Sequence, residues 1–357
     1  MSAIEDPYRI LPSLAIKRRI HHRHSAQSVA VSLASRLIVK NAVRAWAIQP
    51  NLLHWPLGYV DSLAGLLVRF RSSAEIQPVQ LEHCTAEWLR APGASSARAI
   101  LYLHGGAFIT CGLNTHRSLV TRLSKAADAA VLTVGYRKLP SHRISDAIDD
   151  GISGLRWLQQ SGYDGDRIVV AGDSAGGYLA FMTTLTAIRG QIAKPAGVAT
   201  ISPFTDADPA RKLKHRNARR CYMFTREALS IFTRYLGEAQ LPERRGGRPG
   251  PVVSPVDADL SSLPPVTIHA SSDELLLADA ELMAERLERA GIRCDLHLWD
   301  RQIHDFPLAA DVLPEGRRAI RYIGDFVKDV TPGRDELSTG RSGRMWSASA
   351  PASTRVG

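Results

Sequence analysis

From about residue 98 onward, short apolar runs alternate with stretches of helical periodicity, and this rhythm constrains the fold more than any other feature. "ARAILYLHGG", "AAVLTVGYR", "DRIVVAGDS", "AGVATISP", "PPVTIHAS" and "IRCDLHLWD" are predicted strands. "HRSLVTRLSKAAD", "ISDAIDDGISGLRWLQQSG", "AGGYLAFMTTLTAIRG", "LADAELMAERLERAG" and "EGRRAIRYIGDFVKDV" are predicted helices. Strands joined by helices of this length pair in parallel, and both sheet faces are then covered by helices. The expected class is therefore α/β, with a mostly parallel central sheet flanked by helices. With 357 residues and 45% hydrophobic content, the chain can bury one large core or two modest ones. A sheet of this kind gathers functional groups beyond the C-terminal ends of its strands.

One strand-to-helix junction is crowded with small residues. "VAGDSAGGYLAF", residues 170 to 181, places Gly172, Ser174, Ala175, Gly176 and Gly177 together. Gly172 to Gly176 match G-x-S-x-G, the pattern of a nucleophile elbow. The serine must occupy a sharp, strained turn that lifts its oxygen above the sheet. Its neighbours at minus two and plus two must lack bulk where strand and helix nearly collide. Ser174 is accordingly the candidate nucleophile.

A serine hydroxyl needs a base and an orienting acid, and on this kind of turn the chain order runs serine, acid, histidine. Four histidines lie downstream: His215, His269, His297 and His304. His215 falls in a basic segment, His269 inside a predicted strand, and His297 alternates within another. His304 follows that last strand in the loop "DRQIHDFP", where it can reach over the serine, and is the candidate base. "TIHASSDELLLADA" supplies the acid. Asp273 comes first after the strand and is chosen, with Glu274 as the alternative; Asp279 lies further along, inside the next helix. Acyl transfer also needs donors for an oxyanion. "LYLHGGAFITCG" is a glycine-rich loop after an early strand, so backbone N–H groups among Gly105, Gly106, Ala107 and Ala175 are the candidates, with His104 bracing the loop.

Together, "HGGAF", "GDSAGGYLA", "SSDELLLADA" and "IHDF" resemble the hormone-sensitive-lipase-like esterases, a branch of the α/β-hydrolase fold. "YRKLPSH", "ISPFTD" and "DLSSLPPVTIHAS" resemble further stretches of that family, and the likeness covers roughly residues 76 to 330. It implies ester hydrolysis through an acyl-serine intermediate without a cofactor. It also implies a helical cap built from the N-terminal helices and from an insertion after "ISP". The division expected is cap helices over 1–75, hydrolase core over 76–203 and 255–330, a cap insertion over 204–254, and a disordered tail over 331–357. Two departures are visible. Ala107 replaces the family's third glycine, which suits a backbone donor where φ is negative. Ser141 stands where the family usually has glutamate.

Substrates expected are esters of short to medium acyl chains, with Phe108, Phe204, Met223 and Phe224 as candidate pocket residues. The same triad also fits an amidase or deacetylase, while a non-catalytic ligand receptor would be expected to lack a triad member.

The net charge of +10 raises other partners. Residues 209 to 250 hold eleven Lys and Arg against three acids, a local charge of +8. Neither a recognition helix nor a basic stripe interleaved with aromatics accompanies them, so nucleic acid is not expected. A solvated basic insertion is, with peripheral contact to an anionic membrane and a homodimer as open partners. Residues 25 to 48 read as an amphipathic helix with Arg36, Lys40 and Arg44 every four residues. The expectation is packing on the body through its apolar face, the alternative a membrane-surface or lid helix. Cys84, Cys111, Cys221 and Cys294 show no CxxC pairing and point to thiols in a reducing compartment, without a metal site. "MSAIEDPYRILPSLAIKRRIHHRH" carries early acids and no unbroken apolar stretch, so the expected location is cytoplasmic.

Overall fold

The computed structural model describes residues 16–48, 59–68, 74–239 and 253–331. Among the described residues, nine strands form one sheet: β1 Lys17–His21, β2 Glu75–Gln80, β3 Thr85–Arg90, β4 Ala99–Leu103, β5 Ala130–Gly135, β6 Ile168–Asp173, β7 Gly197–Ile201, β8 Val266–Ser271 and β9 Cys294–Trp299. Their spatial order is β1-β9-β8-β7-β6-β4-β5-β3-β2. All pairs are parallel except β2 with β3 and β3 with β5. Strands β4 to β9 are the six read from the alternation. Their residues are almost all buried, because helices cover both faces of a parallel sheet. The largest apolar cluster lies beneath the helices Ile144–Gln160, Ala175–Arg189 and Leu277–Arg289, and a second beneath Leu113–Ala127 and Pro314–Val330.

The strand β1 has no counterpart in the sequence reading. Its residues, KRRIH, are exposed at four of five positions, so no apolar alternation marks them. It adds in parallel to β9, with His21 opposite Trp299. There His21 joins a buried aromatic stack. Its ring lies 3.8 Å from that of Trp299 and 5.4 Å from that of His297, which lies 4.4 Å from that of His269. His21 Nε2 and His297 Nδ1 are 3.1 Å apart, one donating and the other accepting.

Beyond β1 the chain runs helically from Ala26 to Ile48, with one π-helical segment at Ser35–Val39. The helix meets the body only partly through apolar residues: Val31 packs on the cluster around Trp299, and Val43, Trp46 and Ala47 are half-buried. Its buried residues are Ser28, Ser32 and Ser35, whereas Val29, Leu33, Leu37 and Ile38 face outward, the last two 60% and 70% exposed. The serines permit close approach and hydrogen-bond to backbone carbonyls. Ser28 and Ser32 Oγ donate to Arg301 O at 2.6 and 3.2 Å, and Ser35 Oγ to Tyr222 O at 3.4 Å. Lys40 Nζ donates to Cys221 O at 2.6 Å.

The segment after β7 carries the helices Ala210–Lys214, Asn217–Arg220 and Arg226–Ala239. Here too the expected solvated surface has an exception. Lys212 is fully buried, with Nζ 2.9 Å from Asp279 Oδ1, 2.5 Å from Asp206 O and 5.1 Å from the centre of the Phe204 ring. A charge so buried is tolerable only when paired, and this one pins the insertion to the core. Of the tail expected over residues 331–357 all but Thr331 lies outside the described residues, as does the basic stretch 240–252.

Candidate active site

Ser174 sits between β6 and the helix Ala175–Arg189 with φ 51° and ψ −117°, a backbone conformation that side-chain-bearing residues rarely adopt. Its N–H donates to Ile201 O at 2.9 Å and its carbonyl accepts from Phe204 N at 3.0 Å, so the turn is tied into β7. The steric demand read from the sequence is visible atom by atom. A Cβ at Gly172 would lie 2.3 Å from Gly176 O, and one at Gly176 would lie 2.0 Å from Leu103 O. Backbone cannot yield to such contacts.

His304 lies in the loop after β9, 4% exposed. Its Nε2 is 2.9 Å from Ser174 Oγ, and its Nδ1 is 2.5 Å from Glu274 Oε2. The acid chosen from sequence is therefore displaced by one residue. Asp273 turns away, its Oδ2 accepting the Arg301 N–H at 2.9 Å. Glu274 turns inward because its backbone and carboxylate are both clamped. Oε1 accepts from Ser271 N at 2.7 Å and Ser202 Oγ at 2.8 Å, while Asn217 Nδ2 donates to Ser272 O and Glu274 O at 2.8 and 3.0 Å. The available cue was its place at the head of the buried run Leu275–Leu277. Burial works against a charged His304, but the carboxylates of Asp305 and Glu274 outweigh it and hold the imidazole's pKa well above its ordinary value.

The glycine-rich loop follows β4. Gly106 has φ 112°, and a Cβ there would lie 2.2 Å from Thr110 O. Ala107, Phe108 and Cys111 have φ of 56°, 59° and 62°. The condition of a negative φ at Ala107 is thus not met. The loop accommodates three left-handed residues that bear side chains, each costing about 1–2 kcal/mol. It is held by Ile109 and Thr110 N–H groups donating to Gly106 O, and by Lys138 Nζ donating to Cys111 O at 2.5 Å. Among the described residues, no acceptor takes the amide hydrogens of Gly106 or Ala107. That of Ala175, the first residue of its helix, has no intrahelical partner. Gly105 lies beside the Asp173 carboxylate, and its carbonyl accepts from His104 Nδ1 at 2.7 Å. His104 stacks on Tyr136, and burial pulls its pKa down to about 3, which fits a bracing role.

Beneath this loop lies a buried group absent from the sequence reading. Asp173 accepts from Tyr102 OH at 2.7 Å and pairs with His116 Nε2 at 3.0 Å. Burial opposes both charges, but the pairing prevails. Asp173 is held below the usual carboxylate range and His116 above the usual imidazole value. No motif announces His116; it is one histidine on a predicted helix.

Phe224 from the insertion packs edge-on against His304, ring centres 4.9 Å apart, within an apolar cluster that includes Met223. Phe108 and Phe204, by contrast, are core residues around Tyr178. The four cysteines are free. Among the described residues, no group of three or more His, Cys, Asp or Glu is set to hold a metal, and no helix is long and apolar enough to cross a membrane.

A family model described as alpha/beta hydrolase fold matches residues 100–308. The chain is 39% identical over 281 residues to esterase LipU of Mycobacterium tuberculosis, covering 78% of this chain and 94% of that protein. It is 38% identical over 315 residues to carboxylesterase/phospholipase LipF of the same organism, covering 86% and 83%. Among solved structures, EstE5 soaked with p-nitrophenyl butyrate superposes with a TM-score of 0.73 at 30% identity, covering 86% of this chain and 99% of that one. An esterase of the bacterial hormone-sensitive lipase family superposes with a TM-score of 0.72 at 28% identity, covering 84% and 98%. The strained turn, the imidazole bridging it to a carboxylate, and these likenesses converge: the chain belongs to the hormone-sensitive-lipase-like carboxylesterases of the α/β-hydrolase fold.

Proposed function

We propose that the protein hydrolyses carboxylic esters of short to medium acyl chains through an acyl-Ser174 intermediate. The observation that carries this reading is His304 lying between Glu274 and Ser174, at 2.5 and 2.9 Å. His304 takes the Ser174 proton as Oγ attacks the ester carbonyl, and returns it to the departing alcohol. Glu274 fixes the ring with Nδ1 protonated, so that Nε2 faces the serine. The amides of Gly106, Ala107 and Ala175 are the donors for the oxyanion. Water, activated by His304, then releases the acid.

The N-terminal helix and the insertion act as the cap. They touch through Lys40 and Cys221 and bracket the loops carrying Glu274 and His304, which favours a confined acyl site over a long tunnel. The outward row Val29, Leu33, Leu37 and Ile38, with exposed Arg36 and Arg44 beside it, supports peripheral contact with an anionic bilayer surface.

The test is a p-nitrophenyl ester series of increasing acyl length, with anilides in parallel, for wild type and Ser174→Ala. Short and medium esters should turn over, and kcat should fall by about 10⁴-fold or more in the folded variant. A wild type inert towards every ester, or a variant that still turns them over, refutes the assignment. Faster anilide than ester cleavage would move it to the amidases.

A further inference from the structure

His304 has a second carboxylate beside it. Asp305, the next residue, is held in the left-handed region at φ 51° and ψ 37°, a conformation that aspartate tolerates better than most residues. Its N–H donates to Ser202 Oγ at 3.2 Å, which turns the side chain back towards the imidazole. Oδ2 then lies 3.1 Å from His304 Nε2, the nitrogen that also faces Ser174. Oδ1 is buried and has no hydrogen-bond partner among the described residues. The reacting face of the base is therefore shared between a hydroxyl and a buried carboxylate.

The contacts allow few proton arrangements. With Nδ1–H given to Glu274, a neutral imidazole presents a lone pair at Nε2. That lone pair can accept from Ser174, but it would repel an ionised Asp305 oxygen at the same distance. A protonated imidazole removes the conflict, because Nε2–H then lies between two acceptors. A protonated Asp305 also removes it, at the cost of setting the acid proton in competition with the serine. Either way one proton is held between Asp305 and His304, and Glu274 on the far nitrogen favours placing it on the ring.

We propose that Asp305 is a positioning residue that keeps the imidazole of His304 protonated at rest, and so sets the pH above which the base becomes free to accept the Ser174 proton. The other charged groups around Asp305 favour keeping one proton on the Asp305–His304 pair. The carboxylates of Asp173, ending β6, and Glu274, following β8, both disfavour a further negative charge at Asp305. His116 on Leu113–Ala127, Tyr102 on β4 and Cys111 in the glycine loop all feel the Asp305 charge. Asp173 is already paired with His116, whereas Asp305 lies against His304. Burial raises the pKa of Asp305, and the surrounding carboxylates raise that of His304, so both act to retain the shared proton. Activation consists of losing that proton to bulk water, after which Nε2 accepts from Ser174.

The proposal rests on His304 being the base for Ser174, and its test separates the two. Asp305→Asn keeps the shape and removes the charge. The acid limb of kcat/KM for a p-nitrophenyl ester should move down by about one pH unit or more, the size expected when an opposite charge at this range is lost. Activity below the wild-type midpoint should rise by up to about tenfold. The His304 ring, followed by its ¹⁵N resonances, should titrate lower by the same amount. This readout needs no turnover, so it decides the role of Asp305 even if Ser174→Ala were to spare activity. Should Asp305→Asn not fold, Asp305→Gly suits the positive φ and carries the same expectation. An acid limb and ring titration that stay in place, with activity scaled by one factor at every pH, would make Asp305 structural and overturn the proposal.

Discussion

Small residues hold two regions of this molecule together, in opposite ways. At the Ser174 turn, Gly172 and Gly176 remove bulk so that backbone meets backbone, and no side chain could be added without moving a strand. Along the N-terminal helix, Ser28, Ser32 and Ser35 bring the helix close and then bond the loops beneath it. The first arrangement is dictated by sterics and admits no alternative. The second leaves a choice open, because the same helix could have buried Leu37 and Ile38 instead. Burying each would have contributed about 1.5–3 kcal/mol, whereas a hydroxyl bond contributes about 1 kcal/mol. The observed orientation leaves Leu37 and Ile38 exposed while Val31 packs on the body.

The sharpest way to break the comparison is at the acid. If the core is as tightly specified as its turn, neighbouring carboxylates cannot share a role. Glu274→Gln should lower kcat by about 10³- to 10⁴-fold, the loss expected when the base is no longer oriented. Asp273→Asn should stay within about tenfold of wild type, since a neutral side-chain oxygen can still accept from Arg301 N–H. Steady-state kinetics on one ester decides it, and equal losses from both variants would contradict the geometry.

Acid should separate the regions next. Burial foremost holds His21 and His297 near pKa 4 and His269 well below the ordinary value. All three are neutral when folded, but gain protons in the unfolded chain once pH drops below about 6.5. The unfolded state thus binds more protons between roughly pH 6.5 and 4. Stability contributed by the stack is complete above that window and is lost as pH falls through it. Amide exchange at pH 7 and pH 5 should show residues 17–21 and the N-terminal helix losing protection while β6 keeps it. Equal protection of β1 at both values would remove the stack from the account.

The smallest expected effect concerns the outward row. Leu37→Ser with Ile38→Ser should reduce co-sedimentation with anionic vesicles by about tenfold or more, given about 0.8 kcal/mol per buried methylene. Turnover of a soluble acetate ester should change less than twofold. Light scattering run alongside reports whether two chains pair through the same face. Unchanged vesicle binding would leave the row without that purpose.

The features legible from sequence share a physical origin. Strands β4 to β9 are short apolar runs bounded by turns, and the elbow declares itself because only residues without bulk survive there. What the sequence left out or left open lacked a local signature. β1 is polar and takes its structure wholly from β9. His116 acquires its importance from Asp173 across the fold. Glu274 and Asp273 differ by one position, and the choice is made by Ser202, Ser271 and Asn217, contributed from elsewhere. The seating of the N-terminal helix stays open because an amphipathic pattern marks two faces without saying which one the body will take.

The seating of β1 against β9 also bears on how the chain is assembled. His21 meets a partner 276 positions later, so a ribosome releases the first strand long before its neighbour exists. Closing so long a loop is slow relative to local contacts, and the elbow strand can be in place while the chain's beginning is still waiting. The segment made first thus takes its place in the sheet only once β9, among the last strands made, is available.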